Sequence, residues 1–342
     1  MTMPLLTAIL TGVRGRVTRC AAEEVLAKQP ARTGGHWWLR VGRTGLSTSQ
    51  AKAAVARAAQ IDEALVSHAG ARDRQARLVQ WFSVPVDAVD NPGALKGAGA
   101  QGKMRVLEVT RSHKPITPAT ISGLSWTLTI AGAAKGEGYR NARQVMDHLR
   151  RQGLPNRIGR ERLGPEGSLA RYGQMMLSGA RLPAAARAEP GACLLAVQAW
   201  LFNRYLDARI SDGLFDRALE GDVVRTSGGE ELLTGDAVAM QRRFDSFECQ
   251  PLGPLFGDGM IPAAGEAAAR EDATLAAAGL TRAQAARLHG GRRALRVQPT
   301  QVVVDLSGDD LLLTCTLPVE TYLSCLLEEL IRDEVVPTEY DE

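Results

Sequence analysis

Gly70-Ala71-Arg72-Asp73-Arg74-Gln75-Ala76-Arg77-Leu78-Val79-Gln80 is the stretch on which the reading of this chain turns. One carboxylate, Asp73, sits among arginines 72, 74 and 77. An apolar run precedes it (Ala64, Leu65, Val66) and another follows (Leu78, Val79, Trp81, Phe82, Val84), so two short strands joined by a charged loop are predicted. Nearby guanidiniums favour the ionised carboxylate. Such a group is a poor general acid at neutral pH, but it can serve as a nucleophile, a base or an electrostatic anchor. The arginines make a rim suited to phosphate. Asp and Arg are also common in exposed turns, where they do no chemistry.

Outward from this stretch, composition sets bounds. The 342 residues are enough for two domains, and 45% hydrophobic residues are enough for a core. Basic residues number 41 against 38 acidic, a net charge of +3 that is too small to argue for nucleic acid by itself. Clustering matters more. The end of the chain is acidic (Glu328, Glu329, Asp333, Glu334, Glu339, Asp341, Glu342), which leaves the rest more basic than the total suggests. Five widely spaced cysteines with no C-x-x-C pair argue against a disulfide framework or a zinc site and for a reducing compartment. The five histidines lack metal-ligand spacing. Gly132–Gly138 lacks the spacing of a phosphate loop, and His289-Gly290-Gly291 has no nucleophile elbow beside it. No signal peptide and no membrane-length apolar run is seen, so a cytoplasmic protein is expected.

Local patterns place the elements. A helix is predicted over 47–60, capped by Ser47, Thr48 or Ser49, with Ala51, Ala54, Val55, Ala58 and Ala59 inward. Residues 87–103 read as a glycine-rich loop, followed by strands at 104–109 and 125–131. Seven arginines (140, 143, 150, 151, 157, 160, 162) lie between Tyr139 and Arg162, whose first half is helical; they suggest a phosphate-tracking surface. A buried helix is expected over 190–210, and a short β-region from Gly221 with a turn at Gly228-Gly229. The alanine-rich stretch 262–290 reads as helix with a C-cap at Gly290-Gly291. Strands 301–306 and 311–317 form a hairpin, and Pro318 opens a last helix with Val319, Tyr322, Leu323, Leu326, Leu327 and Leu330 on one face.

The Gly70–Gln80 stretch resembles the G-x-K-D-x-x-A-x-x-x-Q signature of the TruD family of tRNA pseudouridine synthases. Gly70, Asp73, Ala76 and Gln80 match, with Arg72 in place of the lysine. Gly153–Gly164 resembles that family's Pro-Asn-x-x-Gly-x-Gln-Arg-x-Gly segment at Asn156, Gly159, Arg162 and Gly164, with Glu161 in place of glutamine. Two looser likenesses carry departures. Arg19, Glu23, Glu24 and Val25 stand where the family has Lys-x-x-x-Glu-Asp-Phe, and Gly123, Leu124 and Trp126 stand where it has Gly-Asn-x-Phe.

The resemblance implies an α+β fold. A mixed β-sheet catalytic domain would span 1–152 and 303–342, with an inserted α/β domain over 153–302. It implies that a uridine of tRNA is isomerised to pseudouridine, in the D arm at the thirteenth nucleotide for bacterial relatives, without metal or cofactor, by a protein expected to act as a monomer. Asp73 would be the catalytic residue, nucleophile or base. Arg19 and Arg72 would keep it ionised, Trp126 would stack on a base, and Asn156, Arg157, Arg160 and Arg162 would contact RNA. Trp126 also reads as a plain core residue of a half-buried strand. An RNA-binding module of the same fold without this chemistry is the alternative, given Val25 and Leu124, and an unrelated arginine-rich hydrolase using Asp73 is a third reading.

Overall fold

The computed structural model describes residues 4–72, 77–97, 99, 102–184, 189–226, 229–232 and 237–332. Its strands are β1 Arg16–Leu26, β2 His36–Arg43, β3 Ser67–His68, β4 Arg77–Pro85, β5 Met104–Ser112, β6 Ile121–Ala131, β7 Leu154–Pro155, β8 Val223–Thr226, β9 Gly229–Leu232, β10 Gln250–Leu255, β11 Gly291–Ala294, β12 Arg296–Val297, β13 Thr300–Ser307 and β14 Asp310–Pro318. Its helices are α1 Thr48–Ala59, α2 Pro92–Lys96, α3 Gly138–Gln152, α4 Ser168–Ser178, α5 Pro190–Ser211, α6 Ala237–Asp245, α7 Gly265–Ala277, α8 Arg282–Ala285 and α9 Leu323–Leu330. The mix of helix with one large mixed sheet is the expected α+β class.

The chain divides into two compact units. One, the sheet unit, holds Val13–Arg143 and Pro299–Glu320. The other holds the chain up to Gly12, Gln144–Gln298 and Thr321–Arg332. Residues 4–12 and α9 thus group with the middle of the chain rather than with the sheet. A buried carboxylate ties these segments together. Glu329 of α9 accepts the N–H groups of Leu6 (3.2 Å) and Thr7 (2.9 Å) and a guanidinium N–H of Arg157 (3.2 Å).

The sheet unit is built on the strand order β13-β14-β6-β1-β4-β2-β5, with β3 paired to β4. Every neighbouring pair is antiparallel except β1 and β4, which run parallel in register from Ala21–Arg77 to Glu23–Val79. The sheet is therefore two antiparallel halves joined by one short parallel seam. Alternation along β2 and β4 sends Leu39, Val41, Phe82 and Val84 to one face. There α1 covers them with Ala51, Ala54, Val55 and Ala59. Trp38 and Trp81 point the other way and pack with Ile116 and Ile121. Helix α1 starts where expected: Ser47 caps it, with Gln50 completing the reciprocal box. The β13–β14 hairpin also forms as expected, with Gly308 at φ 61° in its turn.

In the second unit α5 is the central helix. Val197, Leu201, Phe202, Tyr205 and Leu206 are buried along it, although Leu195 is exposed. An antiparallel sheet, β11-β10-β8-β9, accompanies it, together with the β12–β7 pair. At the end of α5 the buried Arg209 is held by both carboxylate oxygens of Asp222 (2.7 and 3.1 Å) and by the carbonyls of Leu214 and Arg217. The expected turn residue Gly228 lies outside the described residues.

Four local expectations are corrected. Residues 64–66 are not a strand: Glu63–Leu65 is a 3-10 turn capped by Asp62, leaving Leu65 42% exposed. The 87–103 segment contains α2, capped by Asn91 and anchored by the buried Leu95; five residues are too few to show a helical period. The 262–290 stretch is not one helix. Gly279, at φ 66°, ends the first and Thr281 caps a second, while Gly291 begins β11. Finally, Pro318 closes β14 instead of opening a helix. Proline lacks an N–H, so it suits a strand end, and α9 begins at Leu323.

Gly123 of β6 pairs with Pro318 of β14, and a Cβ there would lie 2.5 Å from the Leu317 carbonyl oxygen. Backbone would have to move. Gly123→Ala is therefore expected to cost about 1–3 kcal/mol, as overpacking does. A lowered urea midpoint with unchanged far-ultraviolet dichroism is the expected reading; an unchanged midpoint would show that β14 yields freely.

Candidate active site

The seam between β1 and β4 positions the site. Parallel pairing stops at Val79, and the next inward backbone donor, the N–H of Trp81, finds the Glu24 carboxylate at 2.8 Å instead of a strand. The other Glu24 oxygen accepts Nε of Arg72 at 2.9 Å. Glu24 is buried, and its ion pair with Arg72 is nearly so. Burial pushes the Glu24 carboxyl above its ordinary range, while the Trp81 N–H and then the Arg72 charge pull it back. Desolvation prevails. Arg72 Nη2 is buried with no partner among the described residues.

Asp73, with Arg74, Gln75 and Ala76, lies outside the described residues. Both flanks of this segment are held. On the N-terminal side Gly70 adopts φ 130°, which favours glycine. Its N–H donates to His68 Nδ1 (3.0 Å) and its carbonyl accepts Gln80 Nε2 (3.0 Å). The Arg72 N–H donates to the Thr48 hydroxyl (3.1 Å). On the C-terminal side Arg77 is in register with Ala21. Burial lowers the His68 pKa, and the neutral ring is the form whose Nδ1 can accept the Gly70 N–H.

The remaining expected residues fall in several places. Arg19 is exposed on β1, opposite Thr129. Trp126 of β6 lies opposite Ala22 and Cys315 and is 9% exposed. Its Nε1 is buried without a partner among the described residues. Leu124, on the same face, is opposite Glu24, and Val25 is opposite Gly123. Arg160 is exposed (69% for its side chain), with Glu328 at 2.8 Å, and Arg162 is exposed too.

Two residues expected to contact RNA are corrected by their surroundings. Arg157 is 2% exposed and bonded to Asp207 (2.8 Å), Glu329 and the Pro4 carbonyl. Asn156 is buried, donating to the Ala294 carbonyl (2.9 Å) and accepting Arg293 Nη2 (2.8 Å). Their side-chain bonds are spent inside the fold, so they hold the segment rather than offer it to a ligand.

Arg43, Thr48 and Glu24 carry no site role in the sequence reading. A signal was present for Arg43: it follows Leu39 and Val41 at the inward positions of β2, where a charge is out of pattern. Among the described residues no three His, Cys, Asp or Glu side chains group as a metal would require, and no helix is long and apolar enough to cross a membrane.

Comparison with known proteins adds to this geometry. The family model for tRNA pseudouridine synthase D (TruD) matches residues 13–187 and 194–330. A tRNA pseudouridine synthase D of Anaeromyxobacter sp. (strain Fw109-5) is 35% identical, covering 99% of both chains. One from Pseudomonas putida (strain W619) is 32% identical over 79% of this chain and 75% of its own. A Methanosarcina mazei crystal structure described by the same name shares the fold, with a TM-score of 0.74 over 96% of both chains at 17% identity.

Glu24→Gln tests the seam, since it keeps an oxygen for Trp81 and removes the charge. A folded pKa raised above the ordinary 4.5 means that the folded state binds the proton more tightly. The stability contributed by Glu24 is thus fullest below 4.5 and declines as pH rises through the folded pKa. The stability of the parent relative to Glu24→Gln is expected to fall over that window and then level off, as measured by urea unfolding at a series of pH values. A difference that grows with pH would show that the attraction of Arg72 outweighs burial.

Proposed function

The chain belongs to the tRNA pseudouridine synthase D (TruD) family, and we propose that it isomerises a uridine of tRNA to pseudouridine, with Asp73 as the catalytic carboxylate. The target is a D-arm uridine, the thirteenth nucleotide, and the protein acts as a cytoplasmic monomer. The observation that carries this reading is the fixed pair of flanks around residue 73, set beside a seam where the sheet offers buried donors.

The reaction breaks the bond between C1′ and N1 of uridine, turns the base, and forms the bond between C1′ and C5. The C5 proton leaves and N1 regains one. The nucleotide has to leave its stack for this. Asp73 acts as nucleophile or base against the sugar or base. The Arg72 charge beside it favours the ionised form, although Glu24 shares that charge. Nη2 of Arg72 and Nε1 of Trp126, which have no partner among the described residues, are donors suited to a carbonyl-rich base, and the indole face can stack on it. The sheet unit carries the chemistry. Arg160 and Arg162 contribute phosphate contacts.

Asp73→Asn keeps volume and removes charge. It is expected to abolish tritium release from tRNA labelled at uridine C5 while tRNA affinity stays close to that of the parent. Retained turnover would refute the assignment, and a parent with no turnover on any tRNA would favour the binding-module reading.

Affinity should also fall steeply with salt. Replacing Arg160 and Arg162 by alanine is expected to weaken tRNA binding and flatten the salt slope by about one unit per lost contact. Filter binding from low to high salt reads this directly, and an unchanged slope would assign both to a solvated face.

A further inference from the structure

We propose that Gln80, Thr48 and Arg43 are positioning residues: a buried polar latch that fixes where the chain enters the Asp73 segment. This rests on the reading that Asp73 acts on the substrate. Gln80 sits on β4, Thr48 in the first turn of α1 and Arg43 at the end of β2, and all three are buried.

The bonds leave one arrangement. Arg43 has donors only, so the Gln80 oxygen must face it, accepting Nε (3.2 Å) and Nη2 (3.1 Å). That turns Gln80 Nε2 towards the Gly70 carbonyl at 3.0 Å. The Thr48 hydroxyl accepts Arg43 Nη2 (3.1 Å) and the Arg72 N–H (3.1 Å), so its own proton goes to the Gln80 oxygen (3.3 Å). Arg43 Nη1 also donates to the Leu46 carbonyl just before α1. The network thus fixes the carbonyl of Gly70 and the N–H of Arg72, three and one residues before Asp73.

A packing role alone would not call for this chemistry. Apolar side chains would fill the same space without three buried polar groups to desolvate. Its bonds to Leu46, Gly70 and Arg72 end on backbone atoms at the start of α1 and just before Asp73. Reaction geometry is sensitive at this scale: a misplacement of about 1 Å can cost about a hundredfold in rate.

The test uses the full chain and two readouts. Hydrogen exchange of a peptide covering Gly70–Leu78 reports the Arg72 amide without any need for activity. Single-turnover rates and Kd on one tRNA transcript separate chemistry from binding. Thr48→Val, close to isosteric, is expected to speed exchange of the Arg72 amide by about tenfold, the scale of one lost hydrogen bond. The single-turnover rate should fall about a hundredfold, with Kd changed less than about threefold. Thr48→Ser should recover most of both. Gln80→Glu keeps the acceptors but cannot donate to Gly70, so it should show the same split; it serves if Thr48→Val does not fold.

Unchanged exchange in both Thr48→Val and Gln80→Glu would mean that there is no latch. Faster exchange with the parental rate would mean that the latch does not position the reaction. Equal losses in Thr48→Ser and Thr48→Val would assign the effect to packing. Asp73→Asn is run alongside: if it keeps turnover, the catalytic reading and the positioning role both fail, while exchange alone still decides whether the latch exists.

Discussion

The sheet unit depends on one bond that a strand does not make. Two antiparallel halves meet along a parallel contact only three residue positions long, and past it the N–H of Trp81 would be buried without an acceptor. Glu24 closes that gap at 2.8 Å and takes Arg72 with its other oxygen. A buried orphan N–H costs on the order of 1–3 kcal/mol, so the carboxylate is needed where the halves part. Through Arg72 it also holds the N-terminal flank of the segment that carries the proposed chemistry. One side chain thus joins the sheet and anchors the entry to the site.

Arginine is used in two ways. Arg157, Arg209, Arg292 and Arg296 are buried in the second unit. Arg292 binds the Glu271 carboxylate and the Ile261 carbonyl; Arg296 binds Gln250 and backbone carbonyls while lying 4.5 Å over the ring of Phe247. A planar guanidinium with five donors can satisfy several carbonyls at once, which a lysine cannot. Arg160 and Arg162 are of the other kind, exposed to solvent, with Arg160 paired to Glu328 at 2.8 Å. A run of arginines in sequence therefore mixes structural clamps with surface charge.

That mixture marks where sequence reading stops. Patterns that depend on neighbours along the chain were legible: the capped α1, the β13–β14 hairpin, the buried α5, and the Gly70–Gln80 and Gly153–Gly164 motifs. Features set by distant partners were not. Asn156 and Arg157 look like surface recognition residues until Arg293, Asp207 and Glu329 are seen around them. Pro318 and the 262–290 stretch depart from the helices their residues suggest, because helix propensity cannot see a strand partner or a second cap. Gln80 was legible as a matching letter, but its bond to Gly70 crosses ten positions of sequence and needs Arg43 from another strand to set its direction.

The clamped arginines also bear on how this protein meets denaturants. Guanidinium chloride is built from the same cation that Arg209 and Arg292 present to Asp222 and Glu271. It competes for those carboxylates as a chemical mimic, in addition to solvating apolar surface and screening charge. Urea shares only the solvating action. In the second unit the two agents therefore probe different forces, and the gap between their unfolding curves gauges how far that interior is held by paired ions rather than by buried hydrocarbon.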